Sequence, residues 1–167
     1  RYQRAHKPLS EPWPLVPGTV HPVRLERNLA GLRRHPQTLE AGHIIPFVPG
    51  AGDIDQDKDR RLENLAKIIA DTLSVHAAAR AIMHHEPWDF TAVYFDAIDH
   101  FSHGFMRLHP PKLDWVPKAD FEMYQHVVAA GYELHDLLLG NLLKEADENT
   151  TVILVSDHGF HSGALRP

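Results

Sequence analysis

The chain alternates between long segments whose apolar residues recur every three or four positions and two short runs that are apolar throughout. From about Lys58 to His85, Leu62, Leu65, Ile69, Leu73 and His76 follow helical spacing, and the Ala-rich stretch 77–81 propagates it. Glu86-Pro87 stops this helix, because a residue before proline is driven out of the helical region. A second long helix is expected from about Ala119 to Ala146, with Phe121, Tyr124, Val128, Gly131, His135, Leu138 and Leu142 on one face. The apolar runs are Phe90–Phe95 (FTAVYF) and Thr151–Val155 (TVILV). Both are rich in β-branched or aromatic residues, which marks them as strands. Neither alternates cleanly with polar residues, so both faces should be buried, as in a parallel sheet. The order helix, strand, helix, strand then predicts an α/β fold: a three-layer α/β/α sandwich with a mainly parallel sheet and a right-handed crossover.

The rest of the pattern is less regular. Residues 1–50 hold eight of the thirteen prolines, and Pro12, Pro14, Pro17 and Pro22 forbid a long helix there. A short helix is expected near Leu25–Arg34, and a short extended piece at His43–Val48, limited by Pro46 to an edge or loop. Gly50–Asp59 reads as a polar surface loop. Its Asp53, Asp55 and Asp57 resemble the start of a calcium loop, but the glycine and the twelfth-position glutamate that such a loop needs are missing. Phe101–Lys118 is read as a loop because of Pro110, Pro111 and Pro117. These divisions give a Pro-rich segment over 1–57, an insertion or cap, and an α/β core over 58–167.

Composition narrows the function. With 167 residues and 43% hydrophobic content the chain can bury one ordinary core. The formal charge of −5 argues against nucleic acid as a partner. No apolar stretch reaches the length of a membrane span, and oligomeric state is not legible. There is no cysteine, so any metal must be held by imidazole and carboxylate, donors suited to zinc, manganese or iron. The chain begins at Arg1 and ends at Pro167 just after a motif, which suggests a piece of a longer protein.

Fourteen histidines are many for this length, and their placement matters more than their number. Each expected strand runs directly into an aspartate followed closely by histidine. In open α/β sheets the carboxyl ends of the strands line the ligand crevice, so two distant segments would deliver oxygen and nitrogen donors to one edge. The first cluster offers two pairs at four-residue spacing, Asp96 with His100 and Asp99 with His103; a helical turn would put either pair on a shared face. The second is Asp157-His158, where Gly159 permits the sharp turn that adjacent ligands need. Trp88, Trp115 and Tyr124 read as packing residues or loop anchors, Ser156 as a strand-end hydrogen-bonding residue, and Arg33-Arg34 more readily as a solvated pair than as a phosphate contact.

The stretch Tyr94-Phe-Asp-Ala-Ile-Asp99-His-Phe-Ser-His103-Gly, followed by Val155-Ser-Asp157-His158-Gly-Phe, resembles the type I phosphodiesterase/nucleotide pyrophosphatase branch of the alkaline phosphatase superfamily. The resemblance covers roughly residues 58–165. The family's D-x-x-[GS]-H motif matches Asp99, Ser102 and His103. The resemblance implies two divalent metal ions, zinc before manganese or iron, one held by Asp99 and His103 and the other by Asp157 and His158. Asp96 and His100 would stand behind these ligands, and His100 and His161 could donate to a phosphate oxygen. It also implies a small phosphorylated substrate and phosphoester hydrolysis through a Thr or Ser nucleophile. No convincing match to that nucleophile segment occurs in residues 1–57, and His161 lies too near His158 to be the family's downstream ligand. The isolated chain is therefore expected to be inactive. The alternatives are a metal-binding module without turnover and another superfamily phosphotransfer, such as that of a phosphoglycerate mutase. A sulfatase would need a C/S-x-P-x-R motif, which is absent.

Overall fold

The computed structural model describes residues 18–161. Its helices are α1 (Glu26–Ala30), α2 (Ala41–Ile44), α3 (Arg61–His85), α4 (Ala97–Phe105), α5 (Lys118–Tyr124) and α6 (Val127–Leu142), joined by short 3-10 turns. The core lies where α3, α4 and α6 pack on one another. α3 contributes Leu62, Leu65, Ala66, Ile69 and Ala70, the stripe that its sequence spacing requires. α4 contributes Ala97, Phe101 and Phe105, and α6 contributes Val127, Val128, Ala130 and Leu138. Leu39, Ile44, Phe47, Val48 and Ala51 join the same cluster from the N-terminal side.

The close approach of α4 to α6 depends on one glycine. A Cβ built at Gly131 would lie 2.6 Å from Cδ2 of Phe101. Phe101 is fully buried and also meets Phe47, with ring centroids 5.3 Å apart. A missing side chain on α6 thus makes room for an aromatic ring on α4, and that ring seats the helix.

A polar clasp fixes the start of α3. Arg61 donates to Asp59 and, at 2.7 Å, to Asp120 at the start of α5. The Tyr124 hydroxyl donates to Asp59 at 2.8 Å, and the Arg61 guanidinium lies 4.4 Å from the centre of the Tyr124 ring. Burial would push the Asp59 carboxyl up. The bonds from the Arg61 side chain and backbone, and from Tyr124, outweigh it and hold the group down at about 2. At the other end of α3, Glu145 accepts from Arg80 at 2.8 Å and lies 3.1 Å from His84 Nδ1, which pins the end of the α6 region to α3.

Three expectations are corrected here. The sandwich is the main one. Among the described residues there is no strand and no sheet, so the three-layer α/β/α architecture is not formed. Residues 90–95 and 151–155 have the composition of buried strands, yet Phe90 is 85% exposed and Val155 is 87% exposed. A strand exists only through its ladder partners, and composition cannot supply them. Second, the extended piece at His43–Val48 is instead helical at its start. The Glu40 side chain and His43 close a reciprocal cap, with the Glu40 N–H donating to His43 Nδ1 at 3.1 Å. Third, the expected loop from Phe101 begins as helix α4, and the long second helix is two helices separated at Gln125-His126. Of the aromatic anchors, Tyr124 is buried and Trp88 Nε1 donates to the Met83 carbonyl at 3.1 Å, but Trp115 is 57% exposed.

Candidate metal centre

α4 starts one residue after Asp96, and its sequence AIDHFSHGF divides into two faces. Ala97, Phe101 and Phe105, at i, i+4 and i+8, turn into the core with Ser102. Burying that stripe leaves Asp96, Asp99, His100 and His103 on the outer side. The helix therefore aligns both four-residue pairs. His100 Nε2 lies 3.3 Å from Asp96 Oδ2, and His103 Nε2 lies 3.3 Å from Asp99 Oδ1.

The two pairs differ in surroundings. Asp96 and His100 are both more than half exposed. Asp99 Oδ1 is shut off from solvent and no hydrogen-bond donor is aligned with it. The approach of His103 has ion-pair distance but lacks hydrogen-bond geometry. Burying a carboxylate oxygen without a donor is costly unless something else meets it. Two ligands on a tetrahedral zinc, with bonds of about 2.0–2.1 Å, stand about 3.3 Å apart, which is the spacing of this O and N.

The second segment comes to the same helix. Phe160 packs edge-on against the His103 ring, with centroids 5.1 Å apart. Asp157 Oδ2 lies 3.8 Å from His158 Nε2. The His158 ring is held above its ordinary pKa, first by its bond to the Gly159 carbonyl, then by Asp157, and also by Asp99 of α4. The Asp99 charge therefore reaches His158 across about sixty residues of chain. Ser156, itself exposed, donates its Oγ–H to the His158 carbonyl at 2.6 Å and so shapes the turn. His161 is exposed just beyond. Asp99, His103 and His158 are thus brought to one region, and Asp96 and His100 share its helix. No group of three or more His, Asp or Glu donors closes on a single point among the described residues.

One residue escaped the sequence reading. Asp71 of α3 reaches solvent, yet the protein around it and then Asp96 push its carboxyl up, while Arg33 and His100 pull it down. Its signal was available: between Asn64 and His85 it is the one acid in α3. Helical periodicity ranks apolar positions and passes over such a residue.

This arrangement offers hard oxygen and imidazole donors in pairs, without thiolates, which suits divalent cations. No curated protein and no solved structure matches the chain significantly. The sequence does match the type I phosphodiesterase / nucleotide pyrophosphatase family over residues 14–164, which spans both Asp/His clusters and both long helices. The chain belongs to that family, within the alkaline phosphatase superfamily.

Proposed function

We propose that this chain carries metal-binding residues of a divalent-metal-dependent phosphoester hydrolase. Family membership supports a hydrolase of the phosphodiesterase/pyrophosphatase type. The metal dependence rests on one observation above the others: the 156–161 segment returns to α4 so that Phe160 lies on His103 and His158 feels Asp99. In this reading Asp99 and His103 hold one ion and Asp157 and His158 the other, with zinc preferred. Such ions would neutralise phosphoryl charge and lower the pKa of a bound hydroxyl. The buried Asp99 oxygen with no aligned donor fits a ligand better than a surface carboxylate.

The protein's own part is to orient donors. Ala97, Phe101 and Phe105 lock α4 in rotation, so Asp99 and His103 keep their direction. His103 is braced by the Phe160 ring, and the Ser156 bond to the His158 carbonyl shapes the turn that presents His158. In the same reading His100 and His161, both exposed, are the residues that would donate to a phosphate oxygen. We assign no nucleophile among the described residues, so the isolated chain is proposed to bind metal and phosphate without turnover.

Zinc titration followed by calorimetry tests this. The wild-type chain should bind zinc, and Asp99→Asn or His158→Gln should weaken binding by at least about tenfold, as loss of a charged or imidazole ligand requires. Unchanged zinc affinity in both variants would remove the assignment. Appreciable hydrolysis of bis-p-nitrophenyl phosphate by the chain would show that a nucleophile had been overlooked.

A further inference from the structure

The apolar stripe of α3 ends in a residue that packing does not call for. Leu62, Leu65, Ile69 and Leu73 are followed at helical spacing by His76, which is only 9% exposed. A leucine there would extend the stripe without burying a polar atom. The His76 ring instead has its Nε2 shut off from solvent, with no hydrogen-bond partner among the described residues. Such a buried, unpaired nitrogen is costly and needs a reason.

His76, Arg80 and His84 stand at i, i+4 and i+8, so they form one ridge of α3. The ridge meets the far end of the α6 region: Arg80 Nη2 donates to Glu145 Oε1 at 2.8 Å, and His84 Nδ1 lies 3.1 Å from Glu145 Oε2. Leu138, about two turns before Glu145, is buried, and its backbone meets the His76 ring. A neutral imidazole fits this place and an imidazolium does not. In the charged ring both nitrogens must donate, and Nε2 has no acceptor. The neighbouring charge on the ridge is the Arg80 cation, and Glu145 is already held by Arg80 and His84. On α6 the titratable groups are Glu133 and Asp136, both exposed, and His135, whose Nδ1 lies 2.7 Å from the Gly131 carbonyl. Burial accordingly pushes the His76 pKa below its ordinary value of 6.5; the Leu138 backbone opposes this and Arg80 adds to it. His84 differs, because it is open to solvent and can bond Glu145 whether neutral, with its proton on Nδ1, or charged.

We propose that His76 is a proton-operated latch between α3 and α6: neutral, it lets the helices close, and protonated, it drives the Leu138–Glu145 end of the α6 region off α3. A histidine whose folded pKa is lowered takes up its proton more readily in the open form. Closure is therefore complete above the ordinary value and weakens as pH falls below it, by at most about tenfold per pH unit.

Amide hydrogen exchange at pH 7.5 and 5.5, corrected for its intrinsic pH dependence, tests this on the full chain with a chelator present, so that no metal competes for histidine. Protection at Leu134–Leu142 should fall about tenfold more in the wild type than in His76→Leu, while protection at Leu65–Ala70 of α3 holds. His84→Gln should keep the wild-type loss. An equal pH dependence in the wild type and His76→Leu overturns the proposal. So does a loss spread evenly over α3, α4 and α6, which is ordinary acid unfolding, and so does a loss abolished by His84→Gln, which puts the response at the exposed ring. Should His76→Leu fail to fold, the His76 ring is titrated by NMR in the wild type. A ring that titrates at its ordinary value while the α6 amides stay unmoved overturns the latch; a lowered titration that moves with those amides supports it.

Discussion

At the scale of single residues, Asp96 and Asp99 make the most informative pair. Both carry a histidine four positions on, and both stand 3.3 Å from it. Only Asp99 has a buried oxygen without an aligned donor, and only Asp99 reaches the His158 charge. Asp99→Asn should therefore reduce zinc affinity far more than Asp96→Asn, which should change it less than about threefold; equal losses measured by calorimetry would argue that both pairs bind. The family's D-x-x-[GS]-H motif selects the Asp99/His103 register in the sequence, and on α4 Ser102 of that motif goes inward and His103 outward. Asp71 was not legible. Its surroundings depend on a loop folding over α3, which no local pattern encodes.

Asp59 gives a prediction in pH. Its folded carboxyl is held down at about 2, below the ordinary value near 3.9 in an unfolded chain. A depressed acid stabilises the fold above its unfolded value and loses that contribution as pH falls through the folded one. The clasp with Arg61 and Tyr124 should thus contribute on the order of 2 kcal/mol above pH 4, less for its partial exposure, and lose it between pH 4 and pH 2. Denaturant unfolding at pH 6, 4 and 2.5 should show this loss in the wild type and a smaller one in Asp59→Asn. An equal acid dependence in both would mean the clasp is not coupled to folding.

At the scale of elements, the contact between α4 and α6 controls where the candidate ligands point. Gly131→Ala would place a methyl group 2.6 Å from the Phe101 ring, so either the ring or the helix must move. Overpacking of this kind costs about 1–3 kcal/mol. Thermal unfolding should show the lower midpoint, and zinc affinity should fall as well, because displacing Phe101 rotates Asp99 and His103. A stability loss with unchanged zinc binding would separate packing from the site. The sequence spelled out α3 well, since 61–85 falls within the expected span of 58–85 and Glu86-Pro87 ends it as anticipated. α4 was passed over because the downstream prolines were read as governing the whole stretch from Phe101. They lie at 110, 111 and 117, too far along to unwind residues 97–105. The break at Gln125-His126 carries neither Gly nor Pro, and the pattern of apolar residues continues across it.

At the scale of the whole molecule, the described residues form a helical body with two apolar runs lying open at its surface. Tyr94 is 81% exposed and Ile153 is 76% exposed, which is unusual for residues of this size. Strand composition was legible, but pairing is a property of neighbours rather than of the run itself, so the sheet did not follow from it. Exposed surface of this kind should bind an apolar dye. Replacing Tyr94 and Ile153 together with lysine should lower dye fluorescence without lowering the unfolding midpoint, whereas a large stability loss would show that these side chains pack in solution. No described helix is long and apolar enough to cross a membrane.

The central claim is that α4 and the 157–158 turn present their donors to cations on a common face. Anomalous diffraction at the zinc edge, from crystals of the zinc-loaded chain, tests it most directly. The account predicts zinc within about 2.0–2.2 Å of Asp99 and His103, with a second ion at Asp157 and His158. Zinc bound only elsewhere, for example at His84 and His85 near the end of α3, with Asp99 and His103 free of metal, would contradict it.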